Sequence, residues 1–503
     1  MSEPAPFPVG PHDQTLVSRV HPPDWPAPAG DGRYNLVAIG GGAAGLVTSI
    51  GTAGLGGKAA LIERHLLGGD CLNVGCVPSK ALLRAAHAAH AARTAEAYGV
   101  RVGSVEVDFP AVMDRLRRER AHIAAHDAAA RFRDAGVDVF LGHGRFVGPD
   151  TVEVGGRTLR FANAVIATGG RPIRPPIPGL EEVGALTNEE VWNLTELPAR
   201  LVVIGAGPIG CELAQAFARL GSAVVQVDAA DRVLPRDDAD ASALVAASLQ
   251  RDGVALRLER KVVRLERDPD GSRVVVVAGP GGEERLACDQ ILLAVGRAVN
   301  TEGLGLEAAG VVVDARGRPV VDGRLRTSNP RVWAAGDAAG RWQFTHAADA
   351  MARVVLRNAL FFGRGDVDGL VMPWTTFTDP EVAHVGLTAA EAAARPGVST
   401  LTVPLSGNDR VIVEGEGEGF LRVHHDAKGR ILGATLCGPQ AGEIIAAVVV
   451  AMAGGTTLGT IAGAVLPYPT RAEVLKRAAD AYNRTKLTPT AAWLLKTVLA
   501  WRR

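Results

Sequence analysis

Two stretches of this chain share one grammar, and together they limit the fold more than any other feature. Residues 34–49 (YNLVAIGGGAAGLVTS) and 201–221 (LVVIGAGPIGCELAQAFARLG) each run from an apolar strand through a Gly-rich turn into a helix. Gly40, Gly42 and Gly45 in the first, and Gly205, Gly207 and Gly210 in the second, form G-x-G-x-x-G. Glycines at that spacing allow a tight turn, let a pyrophosphate approach backbone N–H groups, and let the helix pack closely. The strand after each turn ends in a carboxylate, Glu63 in AALIE and Asp228 in AVVQVD, placed to take ribose hydroxyls. Asp228 favours the free 2′-hydroxyl of NADH over the 2′-phosphate of NADPH, while Arg232, four residues on, leaves NADPH usable. Two fingerprints imply two bound dinucleotides and two doubly wound α/β domains, and 503 residues accommodate a further domain beside them.

Residues 68–80, GGDCLNVGCVPSK, carry the chemistry. Cys71 and Cys76 stand five apart, and Pro78 leads into the helix-forming run ALLRAAHAAHAAR. Proline suits a first helical turn, so Cys76 is expected near a helix N-terminus, where the dipole favours a thiolate. Lys80, about one turn further, adds a positive charge. In a regular helix five residues rise about 7.5 Å, more than the roughly 7 Å a disulfide spans between Cα atoms. The turn must therefore be distorted, and Asn73 and Gly75 tolerate distortion. A strained, helix-terminal pair is a redox-active disulfide rather than a staple. Two buried thiols, the competing interpretation, would leave the glycines, Pro78 and Lys80 without a role.

At these residues the chain resembles the class I pyridine nucleotide–disulfide oxidoreductases, the family of dihydrolipoamide dehydrogenase, glutathione reductase and mercuric reductase. The resemblance extends over residues 31–485. It implies an FAD-binding domain at 31–195 and 301–371, an NAD(P)-binding domain at 196–300, and a C-terminal α+β dimerisation domain at 372–485. The protein would then be a homodimer. FAD would lie on the first fingerprint with Ala43, Ala44, Glu63 and Arg64, and on Gly69, Asp70 and Lys80 of the cysteine stretch. Gly144 would join it, as would Thr168 and Gly169, where AVIATGGRP leaves the domain. RVWAAGDAAG (331–340) resembles the family's second FAD contact, with Asp337 on the ribityl chain. FTHAADAMA (344–352) would follow beneath the ring with Thr345, His346 and Ala347, His346 positioning backbone rather than catalysing. In the second domain Ile209, Val262 and Gly296 would join the NAD contacts, with Gly296–Arg297 ending a strand. Glu212 would pair with Lys80 beside the flavin. Electrons would pass from NADH through FAD to Cys76, the charge-transfer thiolate, with Cys71 nearer solvent and attacking the acceptor.

The family pattern breaks near the C-terminus. Disulfide-reducing members carry His-Pro with a Glu five residues after the His, and that His serves as general acid–base for substrate thiols. Here LPYPTRAEVLKRAA (466–479) places Tyr468 at the His position and keeps Glu473. A phenol with a reference pKa near 10 is a poor proton shuttle at neutral pH, so lipoamide-type turnover is expected to be impaired. Tyr468 and the run AQAFARLGS (214–222) resemble mercuric reductase. Yet the tail RTKLTPTAAWLLKTVLAWRR lacks that enzyme's vicinal cysteines, and no N-terminal C-x-x-C domain is present. Three acceptors fit: Hg(II) or another soft electrophile, a disulfide as in dihydrolipoamide dehydrogenase, or a quinone or protein-borne disulfide.

The remaining stretches are plainer. Residues 1–30, rich in proline, are expected to form an extended arm that Leu16, Val17, Val20 and Trp25 can pin to the body. RRERAHIAAHDAAARFRDAG is expected to be an exposed helix with solvated charges. Cys211 and Cys437 suit core packing, and His384, His424 and His425 lack metal-ligand spacing. Residues 486–503 form an amphipathic tail helix. Its Trp493, Leu494, Val498 and Trp501, with Lys496, Arg502 and Arg503, suit packing on a dimer or peripheral contact with a membrane. Lys plus Arg equals Asp plus Glu at 54 each, which gives no nucleic-acid footprint. The N-terminus shows neither a basic start nor an apolar h-region, and no apolar run reaches the roughly 18 residues of a membrane span. Five cysteines, only two of them close together, suit a reducing cytosol, so a cytoplasmic enzyme is expected.

Overall fold

The computed structural model of the chain describes residues 10–503. The first fingerprint strand, β1 (Arg33–Ile39), lies inside a seven-stranded sheet. It pairs in parallel with β2 (Ala59–Glu63) on one side and β6 (Arg157–Ile166) on the other, and β2 pairs in parallel with β3 (Val137–Leu141). An antiparallel meander of β4 (Arg145–Gly148) and β5 (Thr151–Val154) extends β6, giving the order β3-β2-β1-β6-β5-β4. Residues Val332–Ala334 return to pair in parallel with β6. All five residues of β2 are buried, as expected for a parallel strand covered on both faces.

Residues 11–20 correct one expectation. They form helix α1 (Pro11–Val20) rather than an extended arm. Pro11 occupies the first turn, where its missing N–H costs nothing, and no proline interrupts HDQTLVSRV. Leu16 and Val20 are fully buried, and Trp25 Nε1 donates to the Val139 carbonyl at 2.9 Å. The prolines at 4, 6 and 8 lie outside the described residues.

Helix α2 (Ala43–Gly54) follows β1 through the Gly-rich turn and packs against a helix spanning Thr345–Phe361. Ile39, Ile62, Phe146, Phe161 and Leu304 share one core on this sheet.

The second fingerprint strand, β7 (Arg200–Ile204), belongs to a four-stranded sheet with β8 (Ala223–Val227), β9 (Ala255–Arg257) and β13 (Gln290–Leu293), in the order β9-β8-β7-β13. Strands β10 (Lys261–Arg267), β11 (Arg273–Gly279) and β12 (Gly282–Cys288) form a separate three-stranded sheet. The C-terminal residues build a five-stranded sheet from β14 (Pro373–Thr376), β15 (Glu381–Gly386), β16 (Ser399–Pro404), β17 (Phe420–His425) and β18 (Ile431–Gly438). Its order is β14-β15-β18-β17-β16 and its pairings are antiparallel. Two helices, Ala441–Ala453 and Glu473–Thr485, bury Ile444, Val448, Val474 and Ala478 in the core beneath it. The chain divides into two compact units: Met1–Gly205 with Ala216–Val225 and Val262–Gly369, and Ala206–Gln215 with Gln226–Lys261 and Leu370–Arg503.

Candidate active site

The cysteine stretch folds into two helices that meet at a sharp turn. Cys71 lies in α3 (Gly69–Asn73) and Cys76 opens α4 (Cys76–Thr94). Gly75 caps α4, and a Cβ there would sit 2.9 Å from the Asp70 carbonyl oxygen, so the chain folds back as only glycine allows. Polar groups grip the residues between the cysteines. Asn73 Nδ2 donates to the carbonyls of Leu67 and Gly69 at 3.1 and 2.9 Å. Trp192 Nε1 and Asn188 Nδ2 donate to the Val74 carbonyl at 2.9 and 3.2 Å. Arg120 Nη1 donates to the Asn73 carbonyl at 3.0 Å. Arg120 belongs to α5 (Phe109–Ile123), where an exposed helix with solvated charges was expected. Instead its side chain is fully buried against Asp13.

The structure holds both cysteines as thiols. A hydrogen bond to Cys76, followed by burial and the field of Cys76, pushes the Cys71 thiol far up. Thr345 Oγ1 lies 3.4 Å from Cys76 Sγ. Cys71 is half-buried and Cys76 stands exposed at the start of α4. Cys211, Cys288 and Cys437 are buried, and burial pushes their thiols up to about 12, 11 and 12 respectively. Thiol chemistry is left to Cys71 and Cys76.

Beside the first fingerprint, Gly40, Glu63, Arg64, Gly144 and Thr168 line one cavity together with Asn300. Glu63 Oε2 accepts from Gly41 N–H at 2.5 Å and Oε1 from His65 N–H at 2.6 Å. Both oxygens retain lone pairs for ribose hydroxyls. Thr168 Oγ1 is buried with no hydrogen-bond partner among the described residues, as a group awaiting a polar ligand would be. These residues fit the adenosine half of FAD. Arg297 Nε donates to Asp337 Oδ2 at 3.2 Å, and its Nη2 donates to Asp70 and to the Gly170 carbonyl. Burial pushes the Asp337 carboxyl up and Arg297 opposes that shift. The sequence suggests Arg297 only as a strand end; its bridging of Asp70 and Asp337 depends on residues 227 and 40 positions away. Gly69 lies against the turn glycine Gly42, and Gly169 turns with φ +67°. Ala43 and Ala44 open α2. Thr345, His346 and Ala347 open their helix, with the exposed His346 ring stacked on Phe344 at 5.3 Å.

At the second fingerprint the pattern repeats. Asp228 Oδ2 accepts from Ala206 N–H at 2.6 Å and Oδ1 from Ala230 N–H at 2.8 Å. Arg232 turns to its own loop and donates to the Pro235 carbonyl at 3.1 Å. Gly207, Ile209 and Gly210 run from the turn into the helix spanning Pro208–Leu220, Val262 is half-buried on β10, and Gly296 turns just before Arg297. Glu212, buried, accepts through Oε1 from Phe377 N–H at 2.9 Å, while Lys80 lies on α4.

Tyr468 precedes Pro469 and is 70% exposed. Its hydroxyl donates to Asp409 Oδ2 at 2.9 Å, and that carboxylate pushes the phenol up. Glu473, which opens the helix to Thr485, adds a weaker push in the same direction. Asp409 lies 59 residues away, so no local pattern points to it. No helix among the described residues is long and apolar enough to cross a membrane.

Comparison with known proteins agrees with this geometry. The chain is 37% identical over 461 residues to a dihydrolipoyl dehydrogenase of Thermus scotoductus, covering 90% of this chain and 98% of that one. It is 34% identical over 459 residues to a mercuric reductase of Streptomyces lividans, covering 90% and 96%. Among solved structures, the HOCl-induced flavoprotein disulfide reductase RclA from Escherichia coli superposes with a TM-score of 0.79 at 30% identity, covering 89% of this chain and 99% of that one. A Cu(II) complex of the same protein superposes with a TM-score of 0.78 at 29% identity, covering 90% and 100%. Members of this family are FAD-dependent and use NAD(P)H. Residues 372–479 match the family's dimerisation domain. With residues 34–352 matching its main domain, the chain belongs to the pyridine nucleotide-disulphide oxidoreductases.

Proposed function

We propose that this enzyme carries electrons from NADH to a soft, thiol-reactive acceptor, Hg(II) or a metal ion of similar character, through Cys71 and Cys76. The observation that supports it most is the contrast in thiols: one paired, accessible dithiol at a helix N-terminus, and three buried cysteines. FAD, when bound, supplies the two-electron link between the nicotinamide and this pair. The chain's residues do the rest. Asp228 selects the 2′-hydroxyl of NADH. The positive end of α4, with Lys80 on the same helix, holds Cys76 as a thiolate. Cys71 bonds to the acceptor. Tyr468 offers a phenol that its bond to Asp409 keeps protonated, suited to hydrogen-bonding an electrophile without turning over protons. The mercuric reductases among the relatives, and the Cu(II) complex of the E. coli protein, support a metal acceptor. The dimerisation domain supports a homodimer. NADH oxidation by the holoenzyme, screened with Hg(II), Cu(II), lipoamide, glutathione disulfide and quinones, tests the proposal. Turnover with a metal ion that vanishes in Cys71→Ser supports it. Brisk lipoamide turnover with no response to metals would make the enzyme a dihydrolipoamide dehydrogenase that draws its base from elsewhere.

A second proposal concerns the tail. The helix Pro489–Trp501 lies beyond the dimerisation domain and exposes Trp493, Leu494, Leu495, Leu499 and Trp501. Residues 486–503 carry Lys486, Lys496, Arg502 and Arg503 and no acid. That combination supports peripheral contact with an anionic membrane surface. Sedimentation with anionic vesicles but not neutral ones, lost in Trp493→Ala/Trp501→Ala, is expected. No binding to either would leave the helix as a protein-packing element.

A further inference from the structure

Helix α1 lies outside the matched family domains, which begin at residue 34, yet it reaches the cysteine turn from both sides. On the near side, the Val20 carbonyl accepts from Leu67 N–H at 3.2 Å, and His21 Nδ1 contacts the His65 carbonyl. On the far side, Asp13 Oδ1 accepts from Arg120 Nη2 at 2.6 Å, and Arg120 Nη1 holds the Asn73 carbonyl at 3.0 Å. Asn73 Nδ2 returns to the Leu67 carbonyl at 3.1 Å and closes the ring. Cys71 lies within that ring, between residues 67 and 73. Asp13 is 4% exposed and Arg120 0%. A guanidinium so buried needs a counter-charge, and burial already pulls Arg120 down to about 10 against the pull of Asp13.

We propose that the Asp13–Arg120 pair is a positioning device that sets the thiol–disulfide equilibrium of Cys71 and Cys76. A disulfide needs Cα atoms within roughly 7 Å, and the five-residue spacing meets that only while the turn stays folded back. By fixing the Asn73 carbonyl from one side and Leu67 from the other, the N-terminal segment keeps the two sulfurs in bonding range. Releasing Asn73 lets the turn relax, lowers the effective concentration of one sulfur at the other, and shifts the balance toward the dithiol. The inference rests on Cys71 and Cys76 being the redox pair.

The test equilibrates the FAD-loaded enzyme with mixtures of glutathione and glutathione disulfide. Closing the pair removes two electrons and two protons from the two thiols, and glutathione disulfide takes them up as two thiols. Asp13→Asn is expected to move the midpoint about tenfold toward the dithiol, about 30 mV by the two-electron conversion. Arg120→Lys keeps a charge opposite Asp13 but loses the Asn73 bond, so the same shift is expected should Asp13→Asn fold poorly. Asp13→Glu should restore most of the wild-type midpoint. Trp25→Phe removes another anchor of the same segment, its bond to Val139, and is expected to lower thermal stability with less than a twofold midpoint change. A midpoint within twofold of wild type in Asp13→Asn or Arg120→Lys, or an equal shift in Trp25→Phe, would overturn the inference and leave α1 as a stabiliser alone. A wild type that never closes the disulfide would instead overturn the assignment of the pair.

Discussion

The turn carrying Cys71 and Cys76 and the loop carrying Tyr468 are built to different standards. Arg120, Trp192 and Asn188 hold successive carbonyls of the first, and Asn73 ties its own side chain back to Leu67 and Gly69. Each such bond contributes on the order of 1 kcal/mol when satisfied and costs more when a buried partner is orphaned. The Tyr468 ring is largely exposed, and among the described residues its hydroxyl has one hydrogen bond, to the Asp409 carboxylate. Rigid placement suits the proposed redox pair, whose sulfurs would have to bond and part within a fraction of an ångström. An exposed phenol suits a residue that only needs to meet an acceptor. The comparison teaches that the turn proposed to deliver electrons is fixed by packing, while the loop proposed to meet the acceptor is open to solvent.

The contrast breaks first at the sulfurs. Cys71→Ser should cut metal-dependent NADH oxidation by about 10³-fold or more, because the variant has no second sulfur to close the cycle. Steady-state rates with Hg(II) check it, and a variant keeping a tenth of the activity would show that the acceptor takes electrons elsewhere. At Tyr468 the expected effect has the opposite sign. Tyr468→His should raise dihydrolipoamide oxidation by about 10²-fold, toward the range that general acid–base assistance supplies. No gain would mean that Asp409 or the loop, rather than the missing imidazole, limits that reaction.

Much of the delivering half is legible in the amino-acid sequence. Gly40, Gly205, Glu63, Asp228, Cys71, Cys76 and Gly75 announce themselves because each function needs a residue type at a fixed local spacing. Gly40 and Gly205 have φ of +108° and +113°, and a Cβ on either would strike the Ala167 or Ala294 carbonyl, 2.2 and 2.4 Å away. The residues that sequence patterns do not reveal act over long separations. Arg120 meets Asp13 across 107 positions, and Tyr468 meets Asp409 across 59. In sequence, Arg120 is one arginine among several on a charged helix, and nothing local distinguishes a buried cation from a solvated one. The helix at residues 11–20 is hidden by the prolines around it.

A smaller effect sharpens the nucleotide side. A carboxylate facing a 2′-phosphate costs on the order of 1–3 kcal/mol, so kcat/KM should favour NADH by roughly 5- to 150-fold. Asp228→Asn should narrow that ratio, and equal efficiency in the wild type would show that Arg232 outweighs Asp228. The smallest expected effect is in the C-terminal sheet. His384 is buried, its Nδ1 bonded to Thr435 Oγ1 at 2.8 Å, and burial holds its pKa below the ordinary value. A histidine kept neutral in the fold binds a proton more readily once unfolded, so its contribution is intact above about pH 6.5 and fades as pH falls below it. Thermal melts should show a modest acid-side decline that His384→Asn reduces.

The central claim is that Cys76 is the thiolate poised for electron transfer. Anaerobic addition of NADH to the FAD-loaded enzyme tests it directly through the visible spectrum. The wild type should develop a long-wavelength charge-transfer band, Cys71→Ser should retain such a band, and Cys76→Ser should have none. A band that survives in Cys76→Ser would contradict the assignment.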